Sequence, residues 1–199
     1  MSWIEIIPFD KAKGKLKRLY ERVTGPNNNV DNIMLVHSLR PNTMEGHMAI
    51  YKKVLHHSEN TLPKWYLETL GVYVSMLNQC DYCVDHHFAG LKRLLSDDEK
   101  ANRIKQGLVS RTFESLTTTY IEGLKYAEKL TLNPSELDKK DINILKENKI
   151  SDGEILEINQ VVSYFNYANR TVLGLGVTTE GDILGLSPNS SQEDNWKHQ

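Results

Sequence analysis

The sequence predicts an all-α protein, a single-domain helical bundle of roughly seven to nine helices. Three observations carry this. Apolar residues recur at helical spacing in segment after segment, as with Leu67, Leu70, Val74 and Leu77. No stretch combines period-two alternation with the β-branched enrichment of a strand. The six prolines (Pro8, Pro26, Pro41, Pro63, Pro134 and Pro188) fall between those segments, where helices begin or stop. At 199 residues the chain suits one domain and can bury a real core.

Taken in order, Asp10 is the expected N-cap of a basic amphipathic helix carrying Leu16, Leu19, Tyr20 and Val23, which Gly25-Pro26 stops. Asp31 starts a short helix with Ile33, Met34, Leu35 and Val36. Pro41 opens a longer one with Met44, Met48, Tyr51, Val54 and Leu55 on one side. The chain restarts at Leu62-Pro63, breaks at Asn78, and enters a helix that bears both cysteines and runs to about Leu95. Ser96 to Glu99 and Ser151 to Glu154 each read as a capping box, with a Ser hydroxyl and a Glu carboxylate meeting orphan amide donors. Pro134-Ser135 reads as a further start, with Glu136 and Asp138 at its positive end. Between the boxes Tyr120, Leu124, Ala127 and Leu130 form one stripe. Ile155, Ile158, Val161, Val162 and Phe165 line the last helix, which Gly174 and Gly176 loosen. The helical domain is expected over residues 1–186. A polar tail over 187–199 follows, partly disordered, with Trp196 as its anchor.

Composition excludes several functions. Lys and Arg number 24 against 26 for Asp and Glu, a net charge of −2, so no electrostatic case exists for nucleic acid or an anionic membrane. No apolar run approaches the ~20 residues that span a bilayer. The opening Met1-Ser2-Trp3-Ile4-Glu5 lacks the basic start and apolar stretch of a secretory signal, and a cytoplasmic location is expected. Only two cysteines occur, three residues apart, which excludes a disulfide-stapled scaffold. No haem, flavin or nicotinamide fingerprint is visible, so a cofactor-free thiol chemistry is expected.

The chemistry-bearing segment is Asn78-Gln79-Cys80-Asp81-Tyr82-Cys83-Val84-Asp85-His86-His87. At about 100° per residue, Cys83 and His87 point within about 60° and 20° of Cys80, whereas His86 points about 120° away. Amides and dipole at a helix start stabilise a thiolate, the form that attacks peroxides and disulfides. A Cys-x-x-Cys pair can close to a disulfide, one sulfur attacking and the other resolving. His87 can carry a proton to a leaving oxygen. Glu68, twelve residues before Cys80, joins the group if the break at Asn78 folds its helix back. Burial beside Leu67 and Leu70 would then raise its pKa and suit it to proton relay.

Other readings stand beside this one. Cys80, Cys83 and His87 can supply three zinc ligands, with a fourth from His37, His47, His56 or His57, although no second Cys pair or H-x₃₋₅-H motif accompanies them. Glu68 alone is equally a solvated carboxylate. His56-His57 reads as a surface helix end, His86 as a second-layer or surface residue, and Tyr164 and Tyr167 as core or interface. A disulfide reductase or redox sensor for a protein partner would use the same pair.

The pattern E-x₁₁-C-x-x-C-x-x-x-H, met by Glu68, Cys80, Cys83 and His87, resembles the alkylhydroperoxidase D-like group of the carboxymuconolactone decarboxylase superfamily. The C-terminal run Tyr164-Phe165-Asn166-Tyr167-Ala168-Asn169-Arg170 and Leu173-Gly174-Leu175-Gly176-Val177 resembles its longer peroxidase-related branch, so the likeness spans nearly the whole chain. The resemblance implies an all-helical fold, homo-oligomers (often trimers or hexamers) and a thiol peroxidase acting on alkyl or hydrogen peroxide. In that scheme Cys83 is peroxidatic, Cys80 resolving, and Glu68 and His87 relay the proton. The reductant would be a dithiol such as dihydrolipoamide on a lipoyl-bearing partner. Tyr82 stands where some family members carry a histidine. The superfamily's decarboxylases lack the Cys pair, which disfavours that activity.

Overall fold

The computed structural model describes residues 2–188 and 195–199. Among them lie nine α-helices: α1 (Gly14–Val23), α2 (Asn32–Leu35), α3 (Pro41–His56), α4 (Lys64–Leu77), α5 (Asp81–Leu95), α6 (Asp98–Ser110), α7 (Thr118–Leu132), α8 (Lys139–Glu147) and α9 (Asp152–Leu175). No strand occurs among the described residues, as the missing alternation predicts.

The centre is α4, buried at every position from Tyr66 to Ser75. Such all-round burial demands partners on every side, and α5, α7 and α9 supply them, with α3 and α6 beyond. Helix α9 crosses α4 at Gly71, where a Cβ would collide with the Phe165 ring. The remaining helices present the stripes read from the sequence: Leu16, Leu19, Tyr20 and Val23 on α1, Met44, Met48, Tyr51 and Leu55 on α3.

Helix ends follow local chemistry, with three corrections. Asp10 lies in a 3₁₀ turn (Phe9–Lys11), and α1 starts at Gly14 with Lys13 as N-cap. Ser96 is the left-handed C-cap of α5 (φ 49°), and the neighbouring Asp97 caps α6 by accepting from the Lys100 amide at 2.9 Å. A carboxylate one residue later serves the new helix once Ser96 has reversed the chain. Pro134 opens only a 3₁₀ turn (Pro134–Glu136), and α8 begins after Asp138, which forms a capping box with Asp141. The Ser151–Glu154 box is present as expected. Helix α9 ends at Gly176, whose φ of 61° closes the turn.

After α9 the chain runs back over α2 and α5. Asn32 donates its side-chain amide to the carbonyls of Thr178 and Glu180, and Arg93 donates to the Gly185 carbonyl at 2.8 Å. Trp196 is buried, as an anchor should be, with the Arg22 guanidinium 3.8 Å above its ring. His198 is buried as well, bonded through Nδ1 to the Val23 carbonyl, and pairs across a β-bridge with Pro188. The expected disorder of the tail over 189–194 lies outside the described residues.

Candidate active site

The site begins at the α4–α5 turn. Asn78 caps α4, and Gln79 takes φ 56°, which swings Cys80 back under the helix so that its amide donates to the Ser75 carbonyl at 2.9 Å. Asn78 donates to the side-chain oxygens of Asn166 and Asn169 on α9, and Asn169 donates to the Ser75 hydroxyl. This amide chain ties the cysteine turn to the last helix. Cys80 is the N-cap of α5 and Cys83 lies in its first turn, both buried in a small apolar cluster with Val36, Tyr82, Val172 and Val177.

Both cysteines are free, buried thiols at the start of α5. The Cys83 thiol holds the Cys80 sulfur below its ordinary pKa, against burial, with help from the Cys83 amide and Asn169. Cys83, acting as donor to Cys80 and buried, is pushed well above the ordinary value. The thiolate form is thus favoured more at Cys80, the N-cap sulfur, than at Cys83. The family resemblance implies Cys83 as the attacking sulfur, whereas a helical wheel by itself does not rank the two positions.

Across from Cys83, the break at Asn78 folds Glu68 back toward α5. The His87 Nδ1–H donates to Glu68 Oε2 at 2.7 Å, with side-chain exposures of 14% and 5%. Glu68 is therefore no solvated surface acid. Burial pushes its pKa up, as expected, but the charge and hydrogen bond of His87, then the charge of His56, outweigh it and leave the carboxyl below its ordinary value. It sits as an ionised anchor. The His87 ring meets Phe165 edge-on at 4.5 Å, which fixes its plane.

Glu68, His87 and Cys83 line one cavity of about 40 Å³ together with Tyr51, His47, Tyr164 and His198. Since a water needs about 10–15 Å³ by the same measure, the space holds about three water-sized molecules. Cys80 lies behind Cys83, away from the cavity lining. Tyr164 is core, as read from the sequence, but its hydroxyl also shares a hydrogen bond with His47 Nε2 at 3.1 Å over the cavity; Tyr167 is half-exposed.

Sequence reasoning missed much of the second layer. Tyr82 donates to Asp182 Oδ2 at 2.7 Å and accepts from the Ile33 amide, so its hydroxyl is a strut. Burial, then the nearby Asp182 charge, pushes its pKa well up, which keeps it from acting as a base. His86 bonds the same carboxylate through Nε2 at 3.1 Å and, like Tyr82, lines the cavity itself, where a second-layer or surface position was expected. Asp182 and His198 lie about a hundred residues from the cysteines, and nothing in the local sequence marks them. Asn169 carried a signal, being the polar residue on an otherwise apolar face of α9. His56 is a correction: burial lowers its pKa to about 4, where a solvated helix end was expected. The zinc set does not assemble, since no three His, Cys, Asp or Glu side chains among the described residues converge to hold a metal.

With this geometry in view, solved structures supply a match. A peroxidase-related protein from Ralstonia eutropha JMP134, described as an alkylhydroperoxidase AhpD core, superposes with a TM-score of 0.78 over 92% of this chain and 96% of its own, at 21% identity. The fold is that of the AhpD core. An uncharacterized peroxidase-related protein from Silicibacter sp. TM1040 shares the AhpD fold at TM-score 0.71 and 22% identity, covering 88% of this chain and 87% of its own. The debrominase Bmp8, solved with 2,3,4-tribromopyrrole, shares it at TM-score 0.65 and 15% identity over 83% of each chain. No protein-family model and no curated protein sequence matches the chain.

Proposed function

We propose that the protein is a thiol peroxidase that reduces alkyl hydroperoxides or hydrogen peroxide through Cys83 and Cys80. The supporting observation is the placement of a buried Glu68–His87 pair on the same small cavity as Cys83, with Cys80 three residues away at the start of the same helix. A likeness in fold to peroxidase-related proteins adds to it.

The steps balance as follows. Cys83 gives its proton to His87, and the Cys83 thiolate attacks the peroxide. A sulfur–oxygen bond forms, the O–O bond breaks, and the leaving alkoxide takes that proton back from His87, giving an alcohol and a sulfenic acid. Cys80 then gives its proton to the departing sulfenic oxygen as its sulfur attacks the Cys83 sulfur. A disulfide forms, the sulfur–oxygen bond breaks, and the departing hydroxide leaves as water. An external dithiol, in this reading a lipoyl-type one, restores the pair. The position of the sulfurs supports this order, since Cys83 lines the cavity and Cys80 does not. A homo-oligomer belongs to the same reading, supported by exposed Trp3, Ile4 and Leu173.

The test mixes reduced protein with cumene hydroperoxide and counts thiols by mass. Loss of two thiols per chain is expected, with Cys83→Ser inert and Cys80→Ser arrested at a sulfenic acid. Peroxide consumption by Cys83→Ser at the parent's rate would overturn the assignment. Faster reaction with oxidised lipoamide than with any peroxide would favour a disulfide reductase.

A further inference from the structure

The thiol cavity cannot contain an organic substrate. Its volume of about 40 Å³ accommodates hydrogen peroxide or the –OOH end of a larger molecule. A second cavity of about 210 Å³ adjoins it, lined by His56, Lys64, Arg93 and Leu94, and shares Glu68, Gly90, Gly185 and Ser187 with the first. Gly90 stands at the junction. A Cβ there would lie 3.7 Å from the Glu68 carboxyl carbon, so its absence leaves the space beside Glu68 open. Gly185, across the passage, packs against the Ala89 backbone at φ 78°, where a side chain would collide.

The lining of this vestibule has a clear chemical bias. Lys64 and Arg93 bring two positive charges, and neither has a carboxylate partner among the described residues, because Glu68 is committed to His87. His56 Nε2 is shielded from solvent and has no hydrogen-bond partner. Leaving a buried polar nitrogen unpaired costs about 1–3 kcal/mol, so its persistence points to a ligand that meets it. Leu94, 47% exposed, offers an apolar wall beside the cations.

We propose that this vestibule is a subsite for the carboxylate of the substrate, so that the preferred peroxides are organic hydroperoxides bearing an anionic group. The carboxylate would sit between Lys64 and Arg93 and meet His56 Nε2–H, the carbon chain would lie on Leu94, and the hydroperoxide would reach past Gly90 to Cys83. The inference rests on the peroxidase reading for the identity of the substrate, while the subsite itself can be tested without turnover.

Two measurements test it. In the first, kcat/KM is compared for a fatty-acid hydroperoxide and its methyl ester. The acid is expected to be favoured by about three- to tenfold, the range of a partly exposed charge pair. Lys64→Gln should erase most of that ratio, whereas the remote Lys139→Gln should keep it. In the second, octanoate is titrated into reduced protein labelled with ¹⁵N-histidine. A saturable shift of the His56 imidazole signals, lost in Lys64→Gln, supports the subsite. If both peroxides are reduced equally and octanoate leaves His56 unmoved, the subsite is overturned and the peroxidase stands. If no peroxide is reduced but octanoate shifts His56, the peroxidase reading falls and the anion site stands.

Discussion

Glu68 and His87 show how a single pair can be read at the level of the residue. An acid buried among Leu67 and Leu70 would by itself be neutral near pH 7, but the imidazole facing it reverses the balance. In the proposed peroxidase Glu68 acts through His87, whose ring it holds by a 2.7 Å hydrogen bond. Glu68→Gln preserves shape and removes the charge, so peroxide reduction should fall about 10²-fold and its pH profile should shift. Oxidation of the cysteine pair by diamide should survive; if that is lost too, Glu68 is merely structural. His47 makes a different prediction. Burial, then the charges of His37 and His198, lowers its pKa to about 3 from 6.5. The unfolded chain therefore takes up a proton on this residue well before the folded protein does. Stability should fall as pH drops from about 6.5 toward 3, by ~1.4 kcal/mol per pH unit from this residue. Urea unfolding at pH 7 and pH 4.5 should show a smaller difference in His47→Gln, and an unchanged difference would refute this.

Among the elements, the crossing of α4 and α9 matters most to the site. Gly71 lets the Phe165 ring lie against the α4 backbone, and Phe165 in turn sets the plane of His87. Gly71→Ala would improve helix propensity but forces the ring away. The net result should be a loss of about 1–3 kcal/mol in urea unfolding, together with slower peroxide reduction from the displaced imidazole. A stabilised, fully active Gly71→Ala would show that this contact is unimportant. The helix starts teach a related lesson. Where Ser151 and Glu154 could pair locally, the expected cap formed; where Ser96 had to serve as a chain reversal, Asp97 took over.

At the scale of the molecule, the chain's last residues complete the site from the opposite end of the sequence. Lys52 Nζ donates to the Asn195 carbonyl at 2.7 Å, Trp196 packs beneath Arg22, and His198 stacks on Tyr51 in the cavity wall. Deleting residues 195–199 removes a buried Trp and one wall of the cavity. The melting temperature should drop by about 10 °C, and iodoacetamide should alkylate Cys83 faster. An unaltered melting curve with unaltered labelling would mean that these residues contribute nothing in solution.

The amino-acid sequence by itself determined the helical class, the stripes of α1, α3 and α9, the break at Asn78, and the pattern of Glu68, Cys80, Cys83 and His87 from which the candidate site is built. Each of these is written in spacing or in short-range cap and turn chemistry, which acts within a few residues. Tertiary structure alone decided which thiol faces the cavity, that Glu68 stays below its ordinary pKa despite burial, that His56 turns inward, and that Asp182 and His198 reach the site. These outcomes depend on partners tens to more than a hundred residues away in the chain, and on which groups are desolvated together. No local pattern carries that information.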